Sequence, residues 1–355
     1  MSLVKELQEL ITTDKLSGFT ATPEGHHGGE KVQRLETVVR ERFGVAHAVT
    51  FNSATSALHA ACVAASELVG DPYFVTTPFS FTASASCVLM AGHDVHFVDI
   101  EDKTYCINTN LIPDEANVII PVHLFGHPCD MTALLKRTRE KGDFIIEDAA
   151  QAITAKFQGR YCGTLGDCGI FSFNQSKQVS CGEGGVLVTN RDDVAEIVKL
   201  VRNHGETVYP DKCVLGYNYR MTEVEAVIAY HRFLDTDSAI AKRRRGMYIM
   251  ESFFGIQRTC GIDDHAAFVY PIRVENNHCV AREMTEMGFF LRAGYLTTPL
   301  HRLPIFEGDD CPVADRMWSK ELIVTDIIRQ EPEVIDRFTK TLQGVLSAEA
   351  IPAIA

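Results

Sequence analysis

Three short, mainly apolar runs without polar alternation, "YFVT" at 73–76, "VIIPV" at 118–122 and "FIIE" at 144–147, restrict the folds open to this chain more than any other feature. A strand with one face in water alternates apolar and polar residues. A strand covered on both faces does not, and such runs belong to mostly parallel sheets with helices on either side. The segments around them have helical periodicity. Val32, Leu35, Val39 and Phe43 recur at helical spacing, Gly44 stops that helix, and "HAVTF" at 47–51 reads as a strand. Asp130 is placed to cap a helix over "MTALLKRTREK", with Gly142 ending it before "FIIE". The pattern returns at Asn190, where Val194, Ile197, Val198 and Val201 form a stripe, and "VHFV" at 95–98 adds a further strand. The expected class is α/β, a mostly parallel sheet flanked by helices.

With 355 residues the chain exceeds one ordinary core of about 150, so a second, smaller domain is expected. Thr222 and Glu225 form a capping box for a helix carrying Val224, Val227, Ile228 and Leu234 on one face. The following "DTDSAIAKRRRGMYIMESF" reads as a helix leading out of the first domain. We place the boundary near residue 240, giving a large domain with an N-terminal arm over 1–240 and an α+β domain over 241–355. In the latter "AAFVYPIRV" reads as a strand and "VAREMTEMG" as a helix. The basic run "KRRRG", 242–246, is expected at an exposed helix end.

A net charge of -13 argues against unspecific binding to nucleic acid or anionic membranes, both of which need clustered cations. No segment approaches the roughly 20 apolar residues that span a bilayer, and "MSLVKELQEL" lacks the apolar core of a signal peptide, so a cytoplasmic location is expected. Eleven cysteines, an odd number set in apolar surroundings, read as reduced core residues.

Ligands of open α/β sheets bind beyond the carboxyl ends of the strands, which directs attention to the residues just after them. After "HAVTF" come Ser53, Ala54 and Thr55 at a helix start, where free amides and the positive dipole end suit phosphate; Ser53 alone could equally be a cap. Asp148 follows "FIIE", placed to pair with a cationic ring nitrogen, bind a metal or cap the next turn, with Gln151 one turn on. Lys177 lies in "FSFNQSKQVSCGEGG", 171–185, among small and polar residues. A phosphate nest, a carboxylate after a buried strand and a lysine in a small-residue loop are the parts required by an enzyme carrying pyridoxal 5'-phosphate. "HLFGH" with Cys129 invites a metal site, but the segment reads as strand then turn, and Pro128 disfavours the helix that would align His123 with His127. No metal is expected, and His123 is expected to line the cofactor pocket or pack beneath it. The glycines of "GTLGDCG" lack the spacing of a dinucleotide fingerprint.

Several longer motifs, from about Gly28 to about Phe306, together resemble the sugar aminotransferases of the DegT/DnrJ/EryC1/StrS family, of the fold-type I pyridoxal-phosphate class. They are "NSATSALHAA", "TTPFSFTASASCVLMAGHDVHFVDI", "PVHLFGHPCDM", "IIEDAAQAI", "GTLGDCGIFSFNQSKQVSCGEGGVLVTN", "RNHGE" and "LGYNYRMTEVEAVIA". The resemblance implies that Lys177 binds the cofactor covalently and shuttles a proton, and that Asp148 pairs with the pyridine nitrogen. It implies that Gln151 contacts the phenolic oxygen and that Phe81 stacks on the ring. It also implies that Ala54, Thr55 and Ser172 hold the phosphate together with the helix start at Ser53. Asn218 is similar to an asparagine that reaches the neighbouring subunit's phosphate, which implies a homodimer with shared active sites. Arg220 and His301 are implied substrate contacts. Lysine rather than histidine at 177 implies amino transfer rather than dehydration. L-glutamate and 2-oxoglutarate are the implied co-substrate pair, with a keto-sugar, commonly nucleotide-linked, as acceptor, in making amino sugars for surface polysaccharide or glycan. Two features depart from the family's pattern. The tail "LIVTDIIRQEPEVIDRFTKTLQGVL" lacks an "SLP" phrase, and "LRAGYLTTPLHRLPIF" follows the family's tyrosine-and-histidine segment only loosely. Two other readings share some of these residues: a lyase or desulfurase of the same cofactor class, the latter needing a reactive cysteine such as Cys181 or Cys213, and a cofactor-binding regulatory protein without turnover.

Overall fold

Nine strands precede residue 190 in the computed structural model, which describes residues 2–18, 27–205, 213–255, 258–306 and 308–348. They are β1 (His47–Phe51), β2 (Phe74–Thr76), β3 (Val95–Phe97), β4 (Val118–Ile120), β5 (Phe144–Asp148), the small hairpin β6 (Lys156–Phe157) and β7 (Arg160–Tyr161), β8 (Cys168–Ser172) and β9 (Gly185–Thr189). Seven form one sheet in the order β1-β9-β8-β5-β4-β2-β3. Its pairs are parallel from β8 through β5, β4 and β2 to β3, and β9 alone runs against its two neighbours. Six strands therefore point one way, and the carboxyl ends of β1, β2, β5 and β8 share an edge with the amino end of β9. Every residue of β2, β4, β5, β8 and β9 is buried, as strands covered on both faces require, and this includes the carboxylates Glu147 and Asp148 at the end of β5.

The helices are α1 (Leu3–Thr13), α2 (Glu30–Phe43), α3 (Ala54–Val69), α4 (Ala83–Met90), α5 (Met131–Lys141), α6 (Asp192–Arg202), α7 (Glu223–Leu234) and α8 (Thr236–Phe254), followed by α9 (Asn277–Glu286), α10 (Pro312–Arg316) and α11 (Pro332–Ala348). The local stop and start signals operate as physical devices. Gly44 and Gly142 adopt left-handed φ of 64° and 80° and turn their amides back onto Arg40 and Thr138. Asp130 accepts from Thr132 N–H, and Thr222 and Glu225 exchange both capping-box bonds. Asn190 plays a different part: α6 begins after Arg191, and the Asn190 side chain accepts from Ala46 N–H, tying β1's approach to β9's exit.

The carboxyl-terminal part holds an antiparallel sheet, β10 (Tyr270–Arg273), β12 (Leu322–Thr325) and β11 (Arg292–Ala293) in that order, packed with α8, α9 and α11 around Met250, Ile272, Met284, Phe338 and Leu342. Residue 240 falls inside α8, and Leu300, Phe306, Cys311 and Met317 return to the core of the large sheet. Of the expected strand 266–274 only 270–273 forms. Ala266 and Phe268 donate instead to the carbonyls of Gly126 and Phe125. The run "KRRRG" sits in mid-helix, not at an end: Arg243 is buried and donates to Phe268 O, and Arg244 donates to His265 O, so the cations brace backbone acceptors across α8. Leu234, expected on the apolar face of α7, is exposed at the helix end while Ala226, Ala229 and Phe233 fill that interface. The expected N-terminal arm includes residues 19–26, and the motif "RNHGE" includes Glu206; these residues lie outside the described residues. Among the described residues no helix is long and apolar enough to cross a membrane.

Candidate active site

A cavity of about 290 Å³ opens at the shared strand edge, and its wall includes Ser53, Ala54, Thr55, Phe81, Asp148, Gln151, Ser172 and Lys177. Eight of the sequence-derived positions thus meet in one place, for a topological reason: each lies at or just beyond the carboxyl end of β1, β2, β5 or β8. Ser53 does cap α3, its hydroxyl accepting from Ser56 N–H at 3.0 Å, and Ser53 O accepts from Ala57 N–H. The Ala54 and Thr55 amides have no hydrogen-bond partner among the described residues. Two free amides at a helix start, on a cavity wall, fit a phosphate. The cap reading and the nest reading are therefore compatible, because Ser53 satisfies one amide and leaves the first two. Gly185 permits the arrangement: a Cβ there would stand 2.5 Å from the Ala54 nitrogen, so only glycine lets β9 begin this close to the nest.

Asp148 ends β5 and is buried. Ser84 Oγ donates to its Oδ2 at 2.6 Å, Ala150 N–H donates to its Oδ1 at 3.1 Å, and Ser80 and Ser84 are linked hydroxyl to hydroxyl at 2.8 Å. A buried carboxylate bonded by neutral donors alone is held in place without being neutralised, an arrangement suited to a cationic ligand. Lys177 lies in the β8–β9 connection, its Nζ 4.4 Å from the centre of the Phe268 ring. Burial pulls its ammonium down to about 8, against the Asp148 carboxylate, which pulls it up. Phe81 is 65% exposed, an aromatic ring at the mouth where a planar ligand would otherwise meet water.

Gln151 is more committed than its expected role suggests. Its Oε1 accepts from Phe125 N–H at 2.9 Å and its Nε2 donates to the Tyr295 hydroxyl at 2.8 Å. Tyr295 escaped the sequence reading. It holds a left-handed φ of 66°, its ring meets Phe125 edge-on, and burial pushes its hydroxyl up to about 12. Its place in the loosely matching "LRAGYLTTPLHRLPIF" was the available signal. Ser84, Asn174 and Glu183 also line the cavity, the last two bonded to each other at 2.8 Å.

Three expected positions lie elsewhere. His301 is buried in a turn, its Nε2 3.2 Å from Asp315, and lines neither this cavity nor those beside it. Arg220 donates to the Asn203 side chain at 3.0 Å and likewise stands off the cavity of its own chain. Asn218 is exposed on the same segment, its carbonyl accepting from the Asn52 side chain at 3.4 Å.

His123 packs beneath the site, wholly buried. Cys129 N–H donates to its Nδ1, so Nε2 carries the proton and donates to Glu147 at 2.9 Å. Glu147 in turn accepts from the amides of Gly163, Leu165 and Gly166. His127 is also engaged at both nitrogens, by Pro128 O and Thr259. Both rings are thus structural ties. Cys181 is buried, its thiol pushed up to about 12 by burial, which deprives a desulfurase reading of that nucleophile.

A profile of the DegT/DnrJ/EryC1/StrS aminotransferase family matches residues 13–342. GDP-perosamine synthase of Caulobacter vibrioides is 36% identical across 61% of this chain and 60% of that protein, under two thirds of the relative's length. UDP-N-acetyl-3-dehydro-alpha-D-glucosamine 3-aminotransferase of Acidithiobacillus ferrooxidans is 32% identical across 90% of this chain and 89% of its own. An aminotransferase of Helicobacter pylori involved in pseudoaminic acid biosynthesis superimposes with a TM-score of 0.85 over 98% of this chain and 97% of its own, at 20% identity, and so shares the fold.

Proposed function

We propose that this chain, which belongs to the DegT/DnrJ/EryC1/StrS aminotransferase family, uses pyridoxal 5'-phosphate to move the amino group of L-glutamate onto a keto-sugar, most simply a nucleotide-linked one. One observation carries the reading: an amine, a buried carboxylate hydrogen-bonded by neutral donors, and two helix-start amides without a partner among the described residues face one cavity of about 290 Å³. Relatives named for GDP- and UDP-linked sugars support the nucleotide, and the product would be an amino sugar of the kind built into surface polysaccharides.

When bound, the cofactor supplies an aldehyde that condenses with amines and a heterocycle that takes up the electrons released at the substrate's Cα. The chain's own residues do the rest. The amides of Ala54 and Thr55 with the Ser172 hydroxyl hold the phosphate at the start of α3. Asp148, fixed through Ser84 and Ala150, keeps a proton on the heterocycle's nitrogen. Phe81 covers one face and excludes water. Lys177 first anchors the group through Nζ, and once the donor has displaced it, the same nitrogen takes the proton from the donor's Cα and later returns one to the acceptor. Glutamate added to the loaded protein should shift its spectrum to that of the aminated cofactor with release of 2-oxoglutarate, and a keto-sugar should reverse the shift. A spectrum indifferent to glutamate would count for the regulatory reading instead.

The depressed pKa of Lys177 gives a pH prediction. The neutral amine is the nucleophile, so the rate of cofactor loading should rise with pH and level off above about 8, whereas an ordinary lysine would keep gaining up to its usual range near 10.4. Stopped-flow absorbance across pH 6.5–10 reads this directly, and a rate still climbing tenfold per unit above pH 9 would contradict it.

The exposed position of Asn218, away from its own cavity, supports a homodimer in which it reaches the partner's phosphate. A Lys177→Ala chain mixed with an Asn218→Ala chain should then form heterodimers with one unimpaired site. Verified heterodimers without recovered activity would rule out sharing.

A further inference from the structure

Trp318 is the chain's single tryptophan, and the chemistry at Lys177 leaves its indole without a task. It sits in one turn of π-helix, Met317–Glu321, between α10 and β12, a rare widening found mostly at functional sites. Asn277 braces that turn, its Nδ2 donating to the carbonyls of Trp318 and Leu322 at 2.9 and 3.1 Å. The indole Nε1 in turn donates to Leu296 O at 3.1 Å. Leu296 closes a three-residue turn, its own amide donating to Gly294 O at 2.8 Å, with Tyr295 at the centre and at a φ of 66°. A γ-turn of positive φ is rare and strained, and persists only where its surroundings impose it. Both ends are pinned here. Gly294 N–H donates to Leu322 O at 2.7 Å, and a Cβ on Gly294 would stand 2.4 Å from Trp318 O, so only glycine lets the turn lie directly on the tryptophan.

The turn carries the Tyr295 hydroxyl, and Gln151 fixes the sense of its hydrogen bond. Because Oε1 accepts from Phe125 N–H, the amide presents Nε2 to Tyr295, and the phenol oxygen is the acceptor at 2.8 Å. The phenol's own proton has no acceptor among the described residues. A donor left unused on a cavity wall is matched by an oxygen of a ligand. Gln151 lines the cavity of about 290 Å³ with Asp148 and the start of α3, whereas Tyr295 lines a neighbouring one of about 340 Å³ with Phe268 and Phe290. Lys177 belongs to both, so the hydroxyl faces the side of the lysine that the phosphate nest does not line. We propose that Tyr295 donates a hydrogen bond to the keto oxygen of the carbonyl substrate, and that Trp318 is the positioning residue that holds it there. This rests on the aminotransferase reading and gives that reaction a further contact. A neutral donor suits a neutral oxygen: the bond draws electron density from the carbonyl carbon as the amine attacks, and no charge is buried. The proton itself stays on Tyr295, whose hydroxyl burial pushes up to about 12.

The test compares 2-oxoglutarate, standing for the carbonyl substrate, with glutarate, the same dicarboxylate without the keto oxygen. Both are titrated by calorimetry into protein loaded with pyridoxal phosphate and given no amino donor, so that nothing turns over. In Tyr295→Phe the affinity for 2-oxoglutarate should fall about fivefold, the effect one neutral hydrogen bond gives, while that for glutarate changes less than about twofold. Trp318→Phe keeps an aromatic ring but no N–H, and should lower the ratio of the two affinities in the same direction. A purely structural role would weaken both ligands alike, so the ratio separates positioning from loss of fold. In single turnover, aminated protein mixed with 2-oxoglutarate should return to the lysine-bound spectrum several-fold more slowly in Tyr295→Phe. A ratio unchanged in variants that keep the wild-type melting temperature would overturn the proposal, and so would an equal loss of both ligands, which would make Tyr295 a wall of the cavity only. Failure of the aminotransferase reading shows separately, as a wild-type spectrum that glutamate does not change.

Discussion

Lys177→Ala should abolish transamination and remove the absorbance of lysine-bound cofactor, while the cofactor's phosphate still docks on α3. The two effects have separate physical origins. Among the described residues Nζ is the only side-chain amine lining the cavity of about 290 Å³, so its loss removes the covalent anchor. It also removes the proton carrier, since Asp148 is occupied by Ser84 and Ala150. General-base catalysis alone is worth about 10²–10⁴-fold, and with the anchor lost as well turnover should fall below detection. The fold should survive. Lys177 lies in a connection between strands, and the interactions lost are a contact with the Phe268 ring and a charge kept partly uncharged by burial. Absorbance with pyridoxal phosphate, glutamate-dependent turnover and a melting curve together decide the matter. An unchanged spectrum would remove Lys177 from the chemistry altogether.

The parts of this molecule that were legible in the sequence are those fixed by neighbours in the chain. Gly44, Asp130, Gly142 and the Thr222–Glu225 pair act within one turn of themselves, and each performs the local task its residue type suggests. The site was legible for a related reason: Ser53, Asp148 and Lys177 each follow a strand recognisable by its apolar character, and a parallel sheet brings such ends together. What stayed hidden depends on contacts between distant segments. Ala266 and Phe268 look like strand residues but spend their amides on the Phe125–Gly126 turn, which no local pattern encodes. The basic run of α8 looks solvated until Phe268 and His265 present carbonyls to it. His301 has the residue type of a substrate contact, yet its turn faces Asp315, whereas Tyr295, six residues earlier, reaches Gln151 because its backbone takes a left-handed turn that tyrosine rarely adopts.

Asp148→Asn distinguishes the two roles a carboxylate at a strand end can have. If its task were only to receive Ala150 N–H, asparagine would serve nearly as well, and the change would cost about 1 kcal/mol of stability or less with the rate intact. Its surroundings point the other way. Ser84 donates to the second oxygen and Ser80 stands behind Ser84, so the carboxylate is aimed and fixed but not neutralised. A fixed negative charge facing a heterocyclic nitrogen keeps that nitrogen protonated, and only the protonated ring withdraws electrons strongly when the Cα–H bond breaks. Asparagine keeps the shape and one acceptor but carries no charge. Cofactor should therefore still bind, while the glutamate half-reaction should slow by about 10²–10⁴-fold, the scale on which losing a preorganised electrostatic contact is felt. Ser84→Ala should slow it less, because the charge remains and only its aim loosens. A primary isotope effect with Cα-deuterated glutamate should grow in Asp148→Asn as proton removal becomes fully limiting. A half-reaction within threefold of wild type, with no change in isotope effect, would reduce Asp148 to a cap and leave the electron-accepting chemistry without its counter-charge.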